Sequence, residues 1–416
     1  MTNLPRRLSS GIAGGTRLAR SAFRVGSRIV QGRWAESRLP RDFAPQDTDR
    51  FVVCAYFASD MTSAYQLEQW LWSFEQCAAR LREAGHGTEP LAIFVRDAQV
   101  AVHIAGLTSL PVRFSRLTKG LDRFMTDPEL RVVFYVNQAT GNFQALRFPR
   151  PAHVHLSHGE SEKVSMISNQ LKAYDYVFTA GPAARERIRR ALIGMPEDRM
   201  IDVGRPPLDR PRTTPAAWTD FADTAPAGPT VFWAPTWEGD SAAMAYGTLP
   251  DTGVIVAESL LAAGYRVIFR PHPRTGVLES EFARALAEVE SRLTAHPRGF
   301  VDRTRTVGWQ FDVADAALAE MSSVAFDWLS TRKPLVMVEP GGRGAEVLDG
   351  GLFDRTPTLS RDDPAAVAET LAHAQADPAL SAHYLGATEA GQQLARLLAA
   401  TEQVIAARTE ELSTRA

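Results

Sequence analysis

The sequence predicts an α/β protein built from two doubly wound parallel sheets, and three observations support this fold class. Short apolar runs alternate with amphipathic stretches over residues 51–193, and a second series of the same kind covers residues 230–338. A proline-rich segment, residues 205–229, separates the two series. Strand and helix signals in strict alternation are typical of parallel sheets that are covered by helices on both faces. The length of 416 residues also favours two domains.

The first series predicts five strands, each an apolar run short enough to be a buried strand. In chain order these runs are "FVVCAYF", "LAIFV", "RVVFYV", "AHVHL" and "YDYVFTAG". The amphipathic stretches between and after them predict helices at 64–84, 98–106, 142–148 and 182–193.

The second series predicts four more strands, followed by a helical C-terminus. Its apolar runs are "TVFWAPTW", "YRVIFRPHP", "AALAEM" and "PLVMVE". We expect helices at 251–263, 276–293 and 322–331, and further helix in the alanine- and leucine-rich stretch 363–410. These patterns predict four parts: a basic segment 1–41, a first domain 42–215, a second domain 216–375 and a helical segment 376–416.

Composition excludes several classes of protein. The chain is 45% hydrophobic and 23% charged, as in ordinary globular proteins, so disordered and fibrous classes are excluded. Two cysteines, Cys54 and Cys77, lie in apolar or helical contexts, so we expect no disulfide framework, no cysteine metal site and a reducing cytoplasmic location. The net charge of -2 gives no reason to expect nucleic-acid binding. No apolar run reaches the roughly 18 residues of a membrane span, and the N-terminus lacks the core of a secretory signal.

The N-terminal segment has a strong local charge bias. Between Met1 and Arg41 there are nine arginines and one acidic residue, Glu36. Apolar residues recur at helical spacing within it, and arginines occupy other positions, a pattern typical of a helix that lies on an anionic membrane surface. We therefore expect peripheral attachment to the inner face of the cell membrane. A disordered basic tail is the simpler alternative, and nucleic-acid binding is less favoured.

Ligand sites of doubly wound sheets lie beyond the carboxyl ends of the strands, and the first candidate cluster follows "AHVHL". His158 can accept a proton near pH 7, Gly159 permits close backbone approach, and Lys163 supplies a charge for an anion. A hydrogen-bonded structural histidine is the alternative for His158. The spacing of His153, His155 and His158 also suggests a metal, but no carboxylate or cysteine accompanies it at ligand spacing, so we expect none.

Two further clusters end strands of the second series. "APTWEG" places Thr236 in a loop that could equally be a packed turn. In "FRPHPRTG", Arg270 and His272 alternate on one side of a strand that prolines terminate, so both side chains are expected at an open strand end. A guanidinium group with its planar fork suits a phosphate or carboxylate, and this favours anion binding.

The fourth cluster is "EMSSVAFDWLS", where an apolar strand ends at Ser322 and Ser323 and a helix begins. Serine hydroxyls and free amides at a helix start favour a phosphate group. A plain serine N-cap with Asp327 facing solvent is the alternative. The chain has no glycine-rich dinucleotide or Walker loop and no nucleophile elbow, so dehydrogenases, nucleotide hydrolases and α/β-hydrolases are disfavoured.

Taken in order, these clusters resemble the CDP-glycerol glycerophosphotransferase family. The motifs are His-Gly-x-x-x-Lys from 158, Gly-Arg-Pro-x-x-Asp from 204, Ala-Pro-Thr-Trp from 234, Arg-x-His-Pro from 270 and Ser-Ser-x-x-x-Asp from 322, with Lys-Pro at 333. Residues 1–150 carry little of the pattern. The resemblance implies a GT-B fold, in which two Rossmann-like domains, one on the acceptor side and one binding the donor, face a central cleft. It also implies transfer of glycerol phosphate, or a similar polyol phosphate, from a CDP-linked donor to a lipid-linked or polymer acceptor in teichoic-acid-like or capsule synthesis.

The resemblance also assigns roles by position. His158 would be the general base on the acceptor hydroxyl, Asp327 would orient its helix or contact the donor, and Thr236 would line the cleft. The groups expected to hold the donor pyrophosphate are Arg270, His272, Ser322 and Ser323. Three further residues match motif positions without an assigned role: Gly159, Lys163 and Arg205. No cofactor and no metal are expected.

Two positions depart from the family pattern, and two other functions remain open. Glu238 stands where relatives usually carry Arg, and Glu320-Met321 replaces the usual Asp-Tyr before the serine pair. One alternative function is a sialyltransferase-like GT-B glycosyltransferase that attacks an anomeric carbon of a nucleotide-activated sugar. The other is a non-catalytic, membrane-associated scaffold. The product distinguishes the three functions. A polyol-phosphate transferase forms a phosphodiester and releases CMP, a glycosyltransferase forms a glycosidic bond, and a scaffold forms no product.

Overall fold

A computed structural model describes residues 34, 36–305, 307–341, 344–386, 389 and 391–415. The predicted membrane-surface segment 1–41 lies almost entirely outside the described residues. Within the described part of the chain, no helix has both the length and the apolar content needed to cross a bilayer.

The described strands form two sheets, of seven and six strands, and every strand pairing that the structure gives is parallel. The strands are β1 Val53–Phe57, β2 Leu91–Val95, β3 Val112–Phe114, β4 Val132–Tyr135, β5 Ala152–His155, β6 Tyr176–Thr179, β7 Met200–Asp202, β8 Thr230–Ala234, β9 Arg266–Phe269, β10 Gly299–Val301, β11 Ala316–Ala319, β12 Leu335–Val338 and β13 Thr358–Leu359. The predicted α/β class with two parallel sheets is therefore confirmed.

The α-helices that accompany these strands are mostly short, and several 3-10 turns link them. They are α1 Tyr65–Glu68, α2 Leu71–Glu83, α3 Ala98–Ala105, α4 Thr118–Met125, α5 Phe143–Leu146, α6 Pro182–Ala191, α7 Ala216–Thr224, α8 Leu249–Ala262, α9 Ser280–Thr294, α10 Trp309–Val313, α11 Ser323–Trp328, α12 Leu352–Arg355, α13 Val367–His373, α14 Pro378–Leu385 and α15 Gln392–Ser413.

The chain divides into two compact units, and the first consists of residues 1–153 and 405–416. Its strands lie in the order β3-β2-β1-β4, with β1 and β2 buried along their whole length. Helix α2 directs an apolar stripe at these strands, and Phe74 stacks on Phe134 of β4 with ring centroids 5.9 Å apart. This alternation of buried strand and amphipathic helix is the pattern that the sequence predicts.

The second unit, residues 154–404, contains the end of β5 beside β6 and β7, and the six strands in the order β10-β9-β8-β11-β12-β13. Apolar clusters cover both faces of the six-stranded sheet, with Phe232 in one and Trp233 in the other. In the parallel register Ala319 lies beside Ala234, and Trp233 lies beside Phe269. The segments that follow β8, β9 and β11 therefore leave the sheet at the same edge.

Several elements differ from the sequence-based expectation. The proline-rich segment 205–229 contains helix α7, whose Trp218 is buried and packs against Phe300 and Trp309. The predicted helical stretch 363–410 is divided among α13, α14 and α15. Four strands were not predicted at all, namely β3, β7, β10 and β13. The domain boundaries at 41, 215 and 375 stay a prediction.

Candidate active site

The loop after β5 begins with a strained turn. Ser157 has a φ of 61°, in the left-handed region that non-glycine residues seldom occupy, and its hydroxyl donates to the carbonyl of Gly159 at 3.0 Å. Such backbone strain is often found at functional sites, where the surrounding structure holds it in place. His158 follows this strained residue, in a bend of the chain shortly after the strand.

Gly159 lies directly against Ser323 at the start of α11. A β-carbon built on Gly159 would lie 2.7 Å from Cβ and 3.3 Å from Oγ of Ser323, closer than side chains pack. Glycine is thus required here by a close approach between two segments of the second unit. This contact brings together the His-Gly motif and the Ser-Ser motif, which are more than 160 residues apart in the sequence.

His158 is partly buried, and its environment keeps it neutral. Burial lowers the pKa of His158 to about 4, and the charges of Arg205 and Lys163 contribute to the shift. The imidazole is therefore unprotonated at neutral pH and can accept a proton from a hydroxyl group.

Two of the buried hydroxyl groups without a partner in the described part of the chain belong to predicted site residues. Ser322 Oγ and Thr236 Oγ1 receive no hydrogen bond from any residue that the structure describes, although the residues are only 9% and 1% exposed. Ser322 occupies the N-cap position of α11, yet its side chain makes no capping bond. The simple N-cap interpretation therefore does not explain this side chain, and a buried hydroxyl without a partner favours a ligand.

His272 follows β9 and is held as a hydrogen-bond donor. Its Nδ1 accepts from the backbone N–H of Arg274 at 3.1 Å, so the ring proton of the neutral form lies on Nε2. Burial lowers the pKa of His272 to about 3, and the charges of Lys163 and Arg274 lower it further. The ring stacks on Trp237, with centroids 6.1 Å apart. A neutral imidazole with a fixed N–H suits a phosphate oxygen.

Lys163 brings a positive charge to the same region. Its Nζ lies 5.3 Å from the ring centroid of Tyr246, a cation–π contact. Burial lowers the pKa of Lys163 to about 8, while the charges of Glu320 and Asp240 oppose that shift. The charge of Lys163 adds to the effect of burial in lowering the pKa of both His158 and His272.

Arg270 is occupied by protein groups. Its Nη1 donates to Oδ2 of buried Asp302 at 2.7 Å and to the carbonyl of Thr304 at 3.0 Å. Asp302 also accepts a bond from Gln310. This network fixes the segment after β9, and the expected binding of phosphate by Arg270 stays a prediction.

Arg205 and Asp327 form a buried, two-point ion pair. The guanidinium Nε lies 2.9 Å from Oδ1 and Nη2 lies 3.2 Å from Oδ2, and the side chains are 4% and 8% exposed. Asp327 therefore does not face solvent. It ties α11, which carries Ser323, to the segment after β7, and its predicted role in orienting that helix or contacting the donor stays a prediction.

Sequence reasoning gave no role to Glu320, which links two loops of the site. This carboxylate is 2% exposed and accepts from the backbone N–H of Thr236 at 2.7 Å and that of Thr248 at 2.9 Å. Burial raises the pKa of Glu320 to about 7, although these bonds and the charge of Lys163 act in the opposite direction. A charged residue at the end of a buried strand was the signal for this role.

Glu238 anchors a neighbouring loop. Its Oε2 accepts from the N–H of Gly276 at 2.9 Å, and its Oε1 accepts from those of Leu278 at 2.8 Å and Glu279 at 3.2 Å. Burial alone would raise the pKa of Glu238, but these bonds outweigh burial and lower it. The departure from the family pattern at this position is thus a loop anchor that precedes α9.

We expect Glu238→Gln to lower the free energy of unfolding at pH 7 by about 1–3 kcal/mol, because an amide has one acceptor oxygen and leaves at least one N–H unpaired. The bonds favour the carboxylate, so their contribution is present above the unfolded pKa near 4.5 and is lost as the pH falls through the lower folded pKa. Urea unfolding at pH 7 and pH 4 measures both effects, with exposed Glu281→Gln as the control. Equal stability of Glu238→Gln and the parent at pH 7 would contradict this role.

Both ring nitrogens of His153 have protein partners. In the first unit, Nδ1 of His153 lies 2.8 Å from the hydroxyl of Tyr135, and its Nε2 lies 2.7 Å from the carbonyl of Phe148. No cluster of three or more His, Cys, Asp or Glu side chains that could hold a metal ion is found in the described ranges. His155, in the second unit, is 3% exposed and packs against Tyr174.

Several solved structures share this fold. A putative UDP-N-acetylglucosamine 2-epimerase from Listeria monocytogenes matches with a TM-score of 0.57 and 11% identity, covering 85% of this chain and 96% of its own. The wall teichoic acid polymerase TagF matches with a TM-score of 0.53 and 14% identity, covering 95% and 99%. UDP-GlcNAc 2-epimerase from Neisseria meningitidis matches with a TM-score of 0.52 and 10% identity, covering 84% of this chain and 99% of its own. At these identities the likeness shows the fold alone, and that fold is GT-B.

A family model matches part of the sequence. Residues 136–341 match the family model "CDP-Glycerol:Poly(glycerophosphate) glycerophosphotransferase", and this segment contains every motif from His158 to Lys333. This match covers slightly less than half of the chain and confirms the predicted resemblance to the CDP-glycerol glycerophosphotransferase family and the predicted enzyme class, a transferase of that type. No curated protein matches the sequence significantly.

Proposed function

We propose that this protein transfers glycerol phosphate, or a similar polyol phosphate, from a CDP-linked donor to a hydroxyl group of a membrane-linked acceptor in cell-surface polymer synthesis. The observation that carries the proposal is the contact of Gly159 with Ser323, since it brings the segment that carries His158 next to the serine pair, in which Ser322 Oγ has no hydrogen-bond partner among the described residues. The family match supports the donor class, and a TagF structure obtained after a soak with CDPG shows the same fold.

In this reaction the acceptor oxygen attacks the phosphorus that carries the polyol. A new P–O bond forms, the bond to the CMP oxygen breaks, and His158 takes the acceptor proton as the hydroxyl attacks. The protein's main task in phosphoryl transfer is to position the groups and stabilise charge on the phosphate oxygens. Ser322, Ser323 and the Nε2–H of His272 are proposed to bind the diphosphate, and Lys163 supplies positive charge.

The pH dependence of the rate follows from the pKa of His158. Because that pKa is about 4 in the free protein, we expect the acid limb of kcat/KM near pH 4, well below the ordinary histidine value of about 6.5. A bound diphosphate adds negative charge beside the ring and raises its pKa, so the acid limb of kcat is expected at higher pH than that of kcat/KM. Initial rates between pH 3.5 and 8 measure both limbs, and a kcat/KM limb near pH 6.5 would contradict the assigned environment.

The donor is tested by incubating the protein with CDP-glycerol, CDP-ribitol, a CMP-sugar or a UDP-sugar and a polyol-phosphate-primed lipid acceptor. Mass spectrometry should show CMP release together with an acceptor that is heavier by one polyol phosphate. A glycosidic product would support the sialyltransferase-like alternative instead. Consumption of no donor would support the scaffold alternative.

The basic N-terminal segment is proposed to attach the protein to the inner face of the cell membrane. Replacing five arginines by glutamine in the full chain should weaken binding to vesicles with phosphatidylglycerol by at least tenfold, since each arginine near such a surface contributes about 1 kcal/mol. The five are Arg17, Arg20, Arg24, Arg28 and Arg33. Vesicle sedimentation measures the effect, with Arg189→Gln on α6 as the control. Unchanged sedimentation of the fivefold variant would remove this proposal.

A further inference from the structure

A second binding space lies within the second unit, next to the turn that carries His158. This space is partly open to solvent. One part of its wall is apolar and includes Met166, Phe178 and Ile188. The other part is polar and includes His155, Glu160 and Arg187. Ser157 and Gly159, on either side of His158, also line this pocket.

Arg187, on α6, lies in this wall, and two of its nitrogen donors have no hydrogen-bond partner among the described residues. Its side chain is 10% exposed, and its Nη2 pairs with Glu160. Its Nε and Nη1 are fully buried and have no hydrogen-bond partner among the residues described. Buried guanidinium N–H groups are nearly always paired in folded proteins. An arginine held in this way in the wall of a pocket indicates a ligand with acceptor oxygens.

His155 supplies a second unsatisfied polar atom in the same wall. Its Nδ1 is buried, and none of the described residues forms a hydrogen bond with it. Burial lowers the pKa of His155 to about 3, so the ring is neutral at pH 7 and can pair with a hydroxyl group. The pocket therefore offers donors for an oxygen-rich group and a partner for a hydroxyl.

The charges around the pocket indicate which oxygen-rich group fits. Arg187 is matched by Glu160, and Arg205, which also lines the pocket, is matched by Asp327. Because each arginine is paired with a carboxylate, the pocket wall provides hydrogen-bond donors but carries little net positive charge. A singly charged phosphodiester suits this environment better than a doubly charged phosphate monoester, which needs more compensating charge when it is desolvated.

We infer that this pocket binds the last phosphodiester-linked polyol unit of the acceptor. Its phosphodiester oxygens would accept from Arg187, and a polyol hydroxyl would pair with His155. The backbone conformation at Ser157 would then place His158 next to the terminal hydroxyl group of that bound unit. The inference rests on the proposed function for its acceptor, but the binding site can be measured without the reaction.

The test uses the full chain without donor and a soluble probe, the phosphodiester of two glycerol molecules. Isothermal titration should show that the parent binds this probe and that Arg187→Met weakens binding by about tenfold or more, as expected for lost bonds to a charged donor. Arg187→Lys keeps a charge beside Glu160 and should weaken binding similarly, so misfolding cannot explain the loss. Arg189→Met, exposed on the same helix, should bind as the parent does.

The outcomes are separable from those of the donor assay. If transfer occurs, both Arg187 variants should raise KM for the acceptor and leave KM for the donor unchanged. Unchanged acceptor KM and probe binding in both variants would overturn the pocket assignment, although the transferase would stand. Probe binding lost with Arg187, in a protein that consumes no CDP-linked donor, would support the pocket and remove the proposed function. Inorganic phosphate that binds as tightly as the diester would overturn the acceptor assignment.

Discussion

Replacing His158 by alanine is expected to lower the transfer rate by about 10²- to 10⁴-fold, the usual contribution of a positioned general base. The neutral imidazole acts on the acceptor hydroxyl in this scheme, so donor affinity should change little and the loss should appear in kcat. Initial rates with a CDP-linked donor, together with donor titration of the unreacted protein, separate the two quantities.

A matched histidine provides the control for this substitution. His373 is exposed at the end of α13, and His373→Ala should keep the parental rate. If His158→Ala is folded and transfers at a rate within a few-fold of the parent, another group takes the proton. The general-base assignment would then be wrong.

Removing Asp327 is expected to have the largest effect on stability. Asp327→Ala leaves the guanidinium of Arg205 buried without its partner, and breaking such a pair costs about 3–5 kcal/mol. Urea unfolding should show this loss as a lower midpoint. The start of α11 would also lose its connection to the segment after β7, so donor binding by Ser322 and Ser323 should weaken.

Two controls distinguish a buried pair from ion pairs in general. Arg212 and Asp312 form a partly exposed pair, and Arg212→Ala should cost no more than about 1 kcal/mol. The double variant Arg205→Met/Asp327→Leu replaces both charges by apolar groups and should recover most of the stability. A small effect of Asp327→Ala, equal to that of Arg212→Ala, would show that the buried pair does not hold the helix.

The central strands could be predicted from the sequence, whereas the edges of the sheets could not. Strands such as β1 and β8 are four- or five-residue runs of buried residues, which an apolar pattern reveals. The missed strands β3, β7, β10 and β13 have two or three residues and stand at the ends of their strand orders. Edge strands are short and partly exposed, so their side chains carry no clear pattern.

The positions of the motifs were predictable, but the partners of their side chains were not. Parallel strands end at one edge, so the loops carrying Thr236, His272 and Ser322 could be expected there. Arg270 looked like a free anion ligand because nothing in its motif reveals Asp302, which lies 32 residues later. The proposed role of Arg187 likewise depends on contacts made after folding, which sequence spacing does not encode.

The most direct test of the central claim is a crystal structure of the His158→Asn protein with bound CDP-glycerol. The account predicts diphosphate oxygens within hydrogen-bond distance, about 2.7–3.2 Å, of Ser322, Ser323 and the Nε2 of His272, with the polyol phosphorus facing position 158. A diphosphate bound away from the serine pair, or a polyol phosphate directed away from position 158, would contradict it.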